Sequence, residues 1–189
     1  MRGTTLARVA VVTALAAVTA GLSGGAAYAE GTPVEVQLGA DAGLTITQPT
    51  TTATLSGTST PGAVLTGSLG DTTVTDGRGT LLGWTVTALT EGNLVSTVDP
   101  THTVSLGATP VGGPLTVTVP SVTAIGDALL SGVVPGVGGS LNPSMPVVLA
   151  TALTGVGGGG YRFDPGLSFT VPPNTYAETY RTVVVQTVA

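Results

Sequence analysis

The chain has 189 residues, of which 42% are hydrophobic and only 8% charged, and it carries a formal net charge of −5 with 29 glycines, 13 prolines and no cysteine. Absence of cysteine excludes a disulfide framework and any thiolate metal centre. With five arginines, no lysine and one histidine, it also lacks the basic footprint of a nucleic-acid or anionic-membrane binder and most of the groups that attack or titrate near neutral pH.

Arg2 and Arg8 flank the start of an uncharged apolar run over residues 9–20, followed by GLSGGAAYA, which closes on Ala27-Tyr28-Ala29. A basic start, a short apolar stretch and a small-x-small close predict a signal peptide over residues 1–29, with the mature chain beginning at Glu30. The apolar run is shorter than the roughly 20 residues that cross a bilayer. No later stretch matches that length, and the terminal TVVVQTVA carries neither a hydrophobic tail nor an LPxTG-type sorting motif. The expected product is exported, with no membrane span. Residues 30–189 are expected to form a single domain, long enough to bury roughly 70% of its unfolded surface. That segment keeps three arginines against all ten acids, a formal charge of −7.

Period-two segments follow one another, each with an apolar and a polar face, as half-buried antiparallel strands require. VEVQL puts Val34, Val36 and Leu38 on one side; LTIT, with Leu44 and Ile46, repeats the scheme. Next comes DGRGTLLGWTVTAL, a tight charged turn leading to the chain's only tryptophan, Trp84. On a strand Trp84 shares its face with Leu82, Val86 and Ala88, which predicts a core anchor whose indole N–H has found an acceptor. The other reading places it at a sheet end, exposed and able to stack on a sugar ring. LTVTV from Leu115 and LSFTV from Leu167 are further strands, and residues 182–188, with three consecutive valines, read as a central strand. Breakers such as TPGA, VDPTH, TPVGGP and NPSMP leave no room for a long helix. The predicted architecture is an all-β, antiparallel, Ig-like β-sandwich. Residues 124–146 are too long for an ordinary connection, so residues 128–134 are assigned another strand or a helical turn.

Motifs for chemistry are sparse. His102 follows Asp99 by three residues, but no G-x-S-x-G elbow presents a serine, and Asp-Pro opens turns, so His102 is read as a turn residue; two acids meeting it in one cleft would overturn the expectation of a fold without reactive side chains. The acids Glu30, Glu35, Asp41, Asp71, Asp76, Glu91, Asp99, Asp127, Asp164 and Glu178 lie mostly beside glycine or proline, with no local pairing of the kind glycosidases use. Asp71 and Asp76 border one loop without the dense oxygen ligands of a calcium site. The run Gly157 to Gly160 lacks the lysine and hydroxyl of a phosphate loop and reads as a hairpin-like connection into a strand near Tyr161. No cofactor and no metal are expected.

The stretch VTDGRGTLLGWTV resembles the first half of the WxL domain of Gram-positive surface proteins, in which an Asp-x-Arg-Gly turn leads to Gly-Trp-x-Leu; here Val86 stands at the leucine position. The Gly-rich connection, the Val-Pro strand end and the last strand follow in similar order, but Gln186-Thr187-Val188 stands where that family carries a second Trp-x-Leu. The resemblance implies a non-catalytic surface protein that attaches non-covalently to peptidoglycan or another cell-wall polymer, in company with other surface proteins. The positions it carries over are Asp76, Arg78, Gly83, Trp84 and Val86, with Asp76, Arg78 and Trp84 as ligand-binding residues. A self-associating extracellular subunit that pairs through Thr/Val-rich edge strands is the alternative.

Overall fold

Threonine and valine alternate because a strand turns successive side chains to opposite faces, and this alternation sets the whole architecture. The computed structural model describes residues 43–48, 52–108 and 112–189, and among them there are fifteen strands and no helix. The expected signal peptide, the VEVQL strand and the acids Glu30, Glu35 and Asp41 lie outside the described residues.

The strands are β1 (Leu44–Thr47), β2 (Val64–Ser68), β3 (Thr72–Asp76), β4 (Trp84–Thr90), β5 (Leu94–Ser96), β6 (Thr103–Val104), β7 (Leu115–Thr118), β8 (Thr123–Ile125), β9 (Val133–Pro135), β10 (Gly139–Ser140), β11 (Val147–Ala152), β12 (Gly159–Phe163), β13 (Gly166–Thr170), β14 (Tyr180–Arg181) and β15 (Val184–Val188). They form sheets of order β1-β3-β12-β8, β10-β7-β13-β2 and β15-β4-β11-β9, with a smaller sheet β14-β5-β6. Every pairing is antiparallel. The all-β layered architecture is therefore the one the alternation predicts.

The inward faces of the three larger sheets supply one continuous core: Val74, Tyr161 and Phe163 from the first, Leu115, Val117, Leu167 and Phe169 from the second, and Trp84, Val86 and Leu149 from the third. Along β4 burial alternates strictly, with Trp84, Val86, Ala88 and Thr90 inside. Leu82 does not join them as periodicity predicts. Leu81 and Gly83 both take positive φ, 49° and 78°, so the chain bends and β4 starts only at Trp84, leaving Leu82 64% exposed.

One further expectation is corrected and another is refined. Among the described residues the central-strand reading of 182–188 does not hold: β15 borders its sheet and pairs with β4 alone, with Val185 and the preceding Val183 exposed. A run of valines favours extended backbone whether or not both faces are covered. The centre of that sheet is β4, flanked by β15 and β11. The long stretch 124–146 does hold the further strand expected there, but that strand, β9, starts only at Val133 rather than at residue 128. The stretch contributes the end of β8, then β9 and β10, to three different sheets, while residues 126–132 form the turn between β8 and β9.

Candidate functional site

Asp76, at the end of β3, and Arg78, two residues on, close the β3–β4 connection. The Arg78 guanidinium donates from Nε to Asp76 Oδ1 and from Nη2 to Asp76 Oδ2, both at 2.9 Å, while Arg78 N–H donates to Oδ1 at 3.0 Å. Such a fork-on-fork pair is rigid as well as strong. Arg78 Nη2 also donates to the Gly83 carbonyl at 2.6 Å, tying the turn to the residue that precedes Trp84. Asp76 is buried, and its side-chain hydrogen bond from Arg78 holds the carboxyl below its ordinary value, against the opposing effect of burial.

Trp84 is 3% exposed. Its indole N–H donates to the Gly157 carbonyl at 2.9 Å, and its ring lies 5.5 Å from that of Tyr161 at an interplanar angle of 53°. The core-anchor reading, with a partner for the N–H, is the arrangement found. Gly157 explains part of the glycine run: its φ is +91°, and a Cβ there would stand 2.5 Å from Ala152 Cβ and 2.9 Å from Trp84 Nε1. Gly159 and Gly160 belong to β12 itself. Asp76, Arg78, Gly83 and Trp84 are thus brought together, but they face each other and the interior. None of Trp84's ring is free to stack on a ligand. Gln186 is buried opposite Ala88 and accepts the Thr72 hydroxyl proton at 3.2 Å.

Around this clamp the connections are laced by backbone hydrogen bonds, Gly155 to Leu81 at 2.7 Å and Leu153 to Gly132 at 3.0 Å. Tyr161 Oη adds bonds to the carbonyls of Leu129 and Gly158. The same connections leave Leu81, Leu82, Leu129, Leu130 and Leu153 outward.

A second constellation, invisible in the local sequence, lies on the small sheet. Ser96 ends β5, His102 precedes β6, and Glu178 lies two residues before β14, so pairing of β14 and β6 with β5 gathers all three. His102 Nδ1 is 3.1 Å from both carboxylate oxygens of Glu178, and Nε2 is 3.7 Å from Asp99 Oδ2. Its ring stacks on that of Tyr176, 3.8 Å away and 9° from parallel. Asp99 opens a turn as expected, accepting the backbone and hydroxyl protons of Thr101 at 2.9 and 2.7 Å. The expectation that His102 stands apart from paired acids is corrected: Glu178, 76 residues away, completes the cluster.

The cluster does not have the connectivity of a serine relay. Ser96 Oγ donates to Glu178 rather than to the histidine, accepts the N–H groups of Val98 and Asp99, and is buried. A relay needs the hydroxyl on the imidazole, with the carboxylate behind it. The other acids are dispersed: Asp71 pairs with Arg162 at 3.3 Å, and Asp164 accepts the Ser68 hydroxyl proton. Among the described residues no three His, Asp or Glu side chains are placed to hold a metal ion, and no helix is long and apolar enough to cross a membrane.

The carboxyls of both constellations are held low. Ser96 and then His102 lower Glu178, and Arg78 lowers Asp76, from ordinary values of 4.5 and 3.8. In the unfolded chain these groups take up protons at higher pH than in the fold, so their stabilisation is full above pH 4.5 and is lost as pH falls through the two lowered values. Urea midpoints are expected to stay flat from neutrality to pH 4.5 and then drop, with Asp76→Asn lowering the plateau and flattening the drop. A midpoint that rises on acidification contradicts this assignment.

Comparison with family models and with curated proteins gives no match for this chain.

Proposed function

We propose that the chain is an exported, non-catalytic Ig-like β-sandwich of WxL type that associates non-covalently with the cell wall. The observation that carries this reading is the joining of Asp76, Arg78, Gly83 and Trp84 into one hydrogen-bonded unit, since the residues that carry the sequence resemblance act together in the fold. The leader over residues 1–29, the acidic mature chain and the lack of a hydroxyl–imidazole contact at His102 are consistent with a surface protein that binds rather than cleaves. In this reading the motif shapes the domain and does not itself touch the wall polymer. Mixed with isolated Gram-positive cell walls and centrifuged, the purified protein is expected in the pellet, with the walls recovered undegraded. Protein left in the supernatant at every concentration overturns wall association, and solubilised wall fragments overturn the non-catalytic assignment.

A second reading, a self-associating extracellular subunit, is favoured by the exposed leucines of the laced connections, because several large apolar side chains left outward on hydrogen-bonded neighbouring segments offer a contact surface. Sedimentation velocity distinguishes it. A concentration-dependent dimer abolished by Leu82→Ser and Leu129→Ser supports that reading, and a monomer throughout removes it.

A further inference from the structure

The wall reading leaves the ligand-contacting face unassigned, because Trp84, Asp76 and most of Arg78 are turned inward. Of the described aromatic side chains, Trp84, Tyr161, Phe163 and Phe169 are buried and Tyr180 is half-buried, whereas Tyr176 is 60% exposed. An exposed ring on a loop is ordinarily mobile; this one is fixed. His102 covers one face at 3.8 Å, and Glu178 anchors His102 through the ring-edge atom Nδ1. The Glu178 N–H donates to the Tyr176 carbonyl at 2.9 Å, and the Thr175 hydroxyl donates to the Pro172 carbonyl at 3.0 Å. Asn174 completes the turn at φ 62°, a left-handed conformation that asparagine tolerates better than most residues. Preorganisation of this kind removes part of the entropy that a binding event otherwise costs.

Beside Tyr176 lies an open groove of about 380 Å³ whose lining includes Thr101, Thr103, Ser105, Asn174 and Tyr180. We infer that this groove is a binding site for a neutral saccharide, with the outer face of the Tyr176 ring as its stacking platform. The chemistry selects that class. A pyranose presents an apolar C–H face that suits an aromatic ring, and a rim of hydroxyls that exchange hydrogen bonds with threonine, serine and asparagine. An anionic ligand would lie close to Glu178 and Asp99, the two carboxylates that flank the groove residue His102, and no arginine lines the groove. A wholly apolar ligand would strip water from the hydroxyls without replacing it. The volume falls in the range of small-molecule sites, which runs from about 300 to 1,000 Å³.

The inference rests on the wall reading for the source of its ligand, and the experiment separates the two. Wild type, Tyr176→Ala and Tyr176→Phe are titrated calorimetrically with soluble N-acetylglucosamine oligomers and with glucose oligomers, and each is also pelleted with isolated walls. Thermal melts should show all three folded, because Tyr176 projects from the surface. Wild type is expected to bind one oligomer class; Tyr176→Ala should weaken that binding by about tenfold, and Tyr176→Phe should retain it, as stacking without the phenol predicts. Walls retained equally by wild type and Tyr176→Ala overturn the groove and leave wall association standing. Oligomer binding lost in Tyr176→Ala, with no retention of wild type on walls, upholds the groove and overturns wall association. No saccharide binding by the wild type overturns the groove outright.

Discussion

Trp84→Ala is expected to destabilise the domain by about 3–5 kcal/mol, the range for aromatic truncation in a packed core. The melting temperature should fall by roughly 6–20 °C, since each kcal/mol is worth about 2–4 °C in a domain of this size. Two losses combine. The first is the volume itself: Trp84 is 3% exposed and packs in the same core as Val86, Leu149 and Tyr161, so removing it opens a cavity that β4, held on both sides by β15 and β11, cannot close. The second is the hydrogen bond to the Gly157 carbonyl at 2.9 Å, whose loss leaves that acceptor without its indole partner. Trp84→Phe separates them. It keeps most of the apolar volume and is expected to cost about 1–2 kcal/mol, chiefly for the unpaired carbonyl. Calorimetric unfolding of the two variants measures both figures. A Trp84→Ala protein that melts like the wild type would mean the ring is not in the core. Tryptophan fluorescence of the wild type gives an independent check, with a blue-shifted, quencher-resistant emission expected.

Gly157→Ala is expected to be nearly as damaging, at about 3 kcal/mol, although it adds a single methyl group. At φ +91° an L side chain is strained whatever space surrounds it, and here there is none: the new Cβ would collide with Ala152 Cβ at 2.5 Å and press on Trp84 Nε1 at 2.9 Å. The neighbours on both sides belong to the core of the β15-β4-β11-β9 sheet, so relief requires moving the β11–β12 connection away from Trp84 and breaking its hydrogen bond. The two substitutions should therefore be coupled. With Trp84 reduced to alanine, part of the Gly157 collision disappears, and the double variant is expected to lose less stability than the two singles added together. Additive losses would show that the backbone conformation and the Ala152 collision, and not contact with the ring, demand glycine. Gly155 is the natural control, because it has a similar φ of +91° but nothing within 4 Å of a Cβ placed on it. Its alanine variant should cost only the strain.

The contrast between the two constellations shows where sequence reading stops. Asp76, Arg78 and Trp84 lie within nine residues of one another, and the apolar face of β4 already assigns Trp84 to the core. What the spacing does not reveal is that the Asp76 carboxylate grips Arg78 in two places and that Arg78 reaches on to the Gly83 carbonyl, so the charged turn is consumed in holding the loop. His102 offers the opposite case. Its Asp99 neighbour is legible as a turn opener, yet its stronger partner, Glu178, is 76 residues away, in a segment with no regular pattern of its own. Only the two-residue strand β14, pairing with β5, brings them together.

By itself the sequence determined the class of structure, because alternation of threonine with valine and leucine is a local property that a strand must display whatever it pairs with. It also favoured Trp84 as a core residue whose N–H needs an acceptor, from the strand's own apolar face, while leaving the exposed reading for the tertiary structure to remove. Tertiary structure alone decided the strand order among the described residues, putting β15 at the border of its sheet there despite its valines, and which side chains met across long separations. It decided, too, that Tyr176 rather than Trp84 would be the exposed ring. These outcomes depend on the register and order of strands distant in the chain, and pairing energies of that kind are nearly the same for many alternative neighbours until the whole core is packed at once.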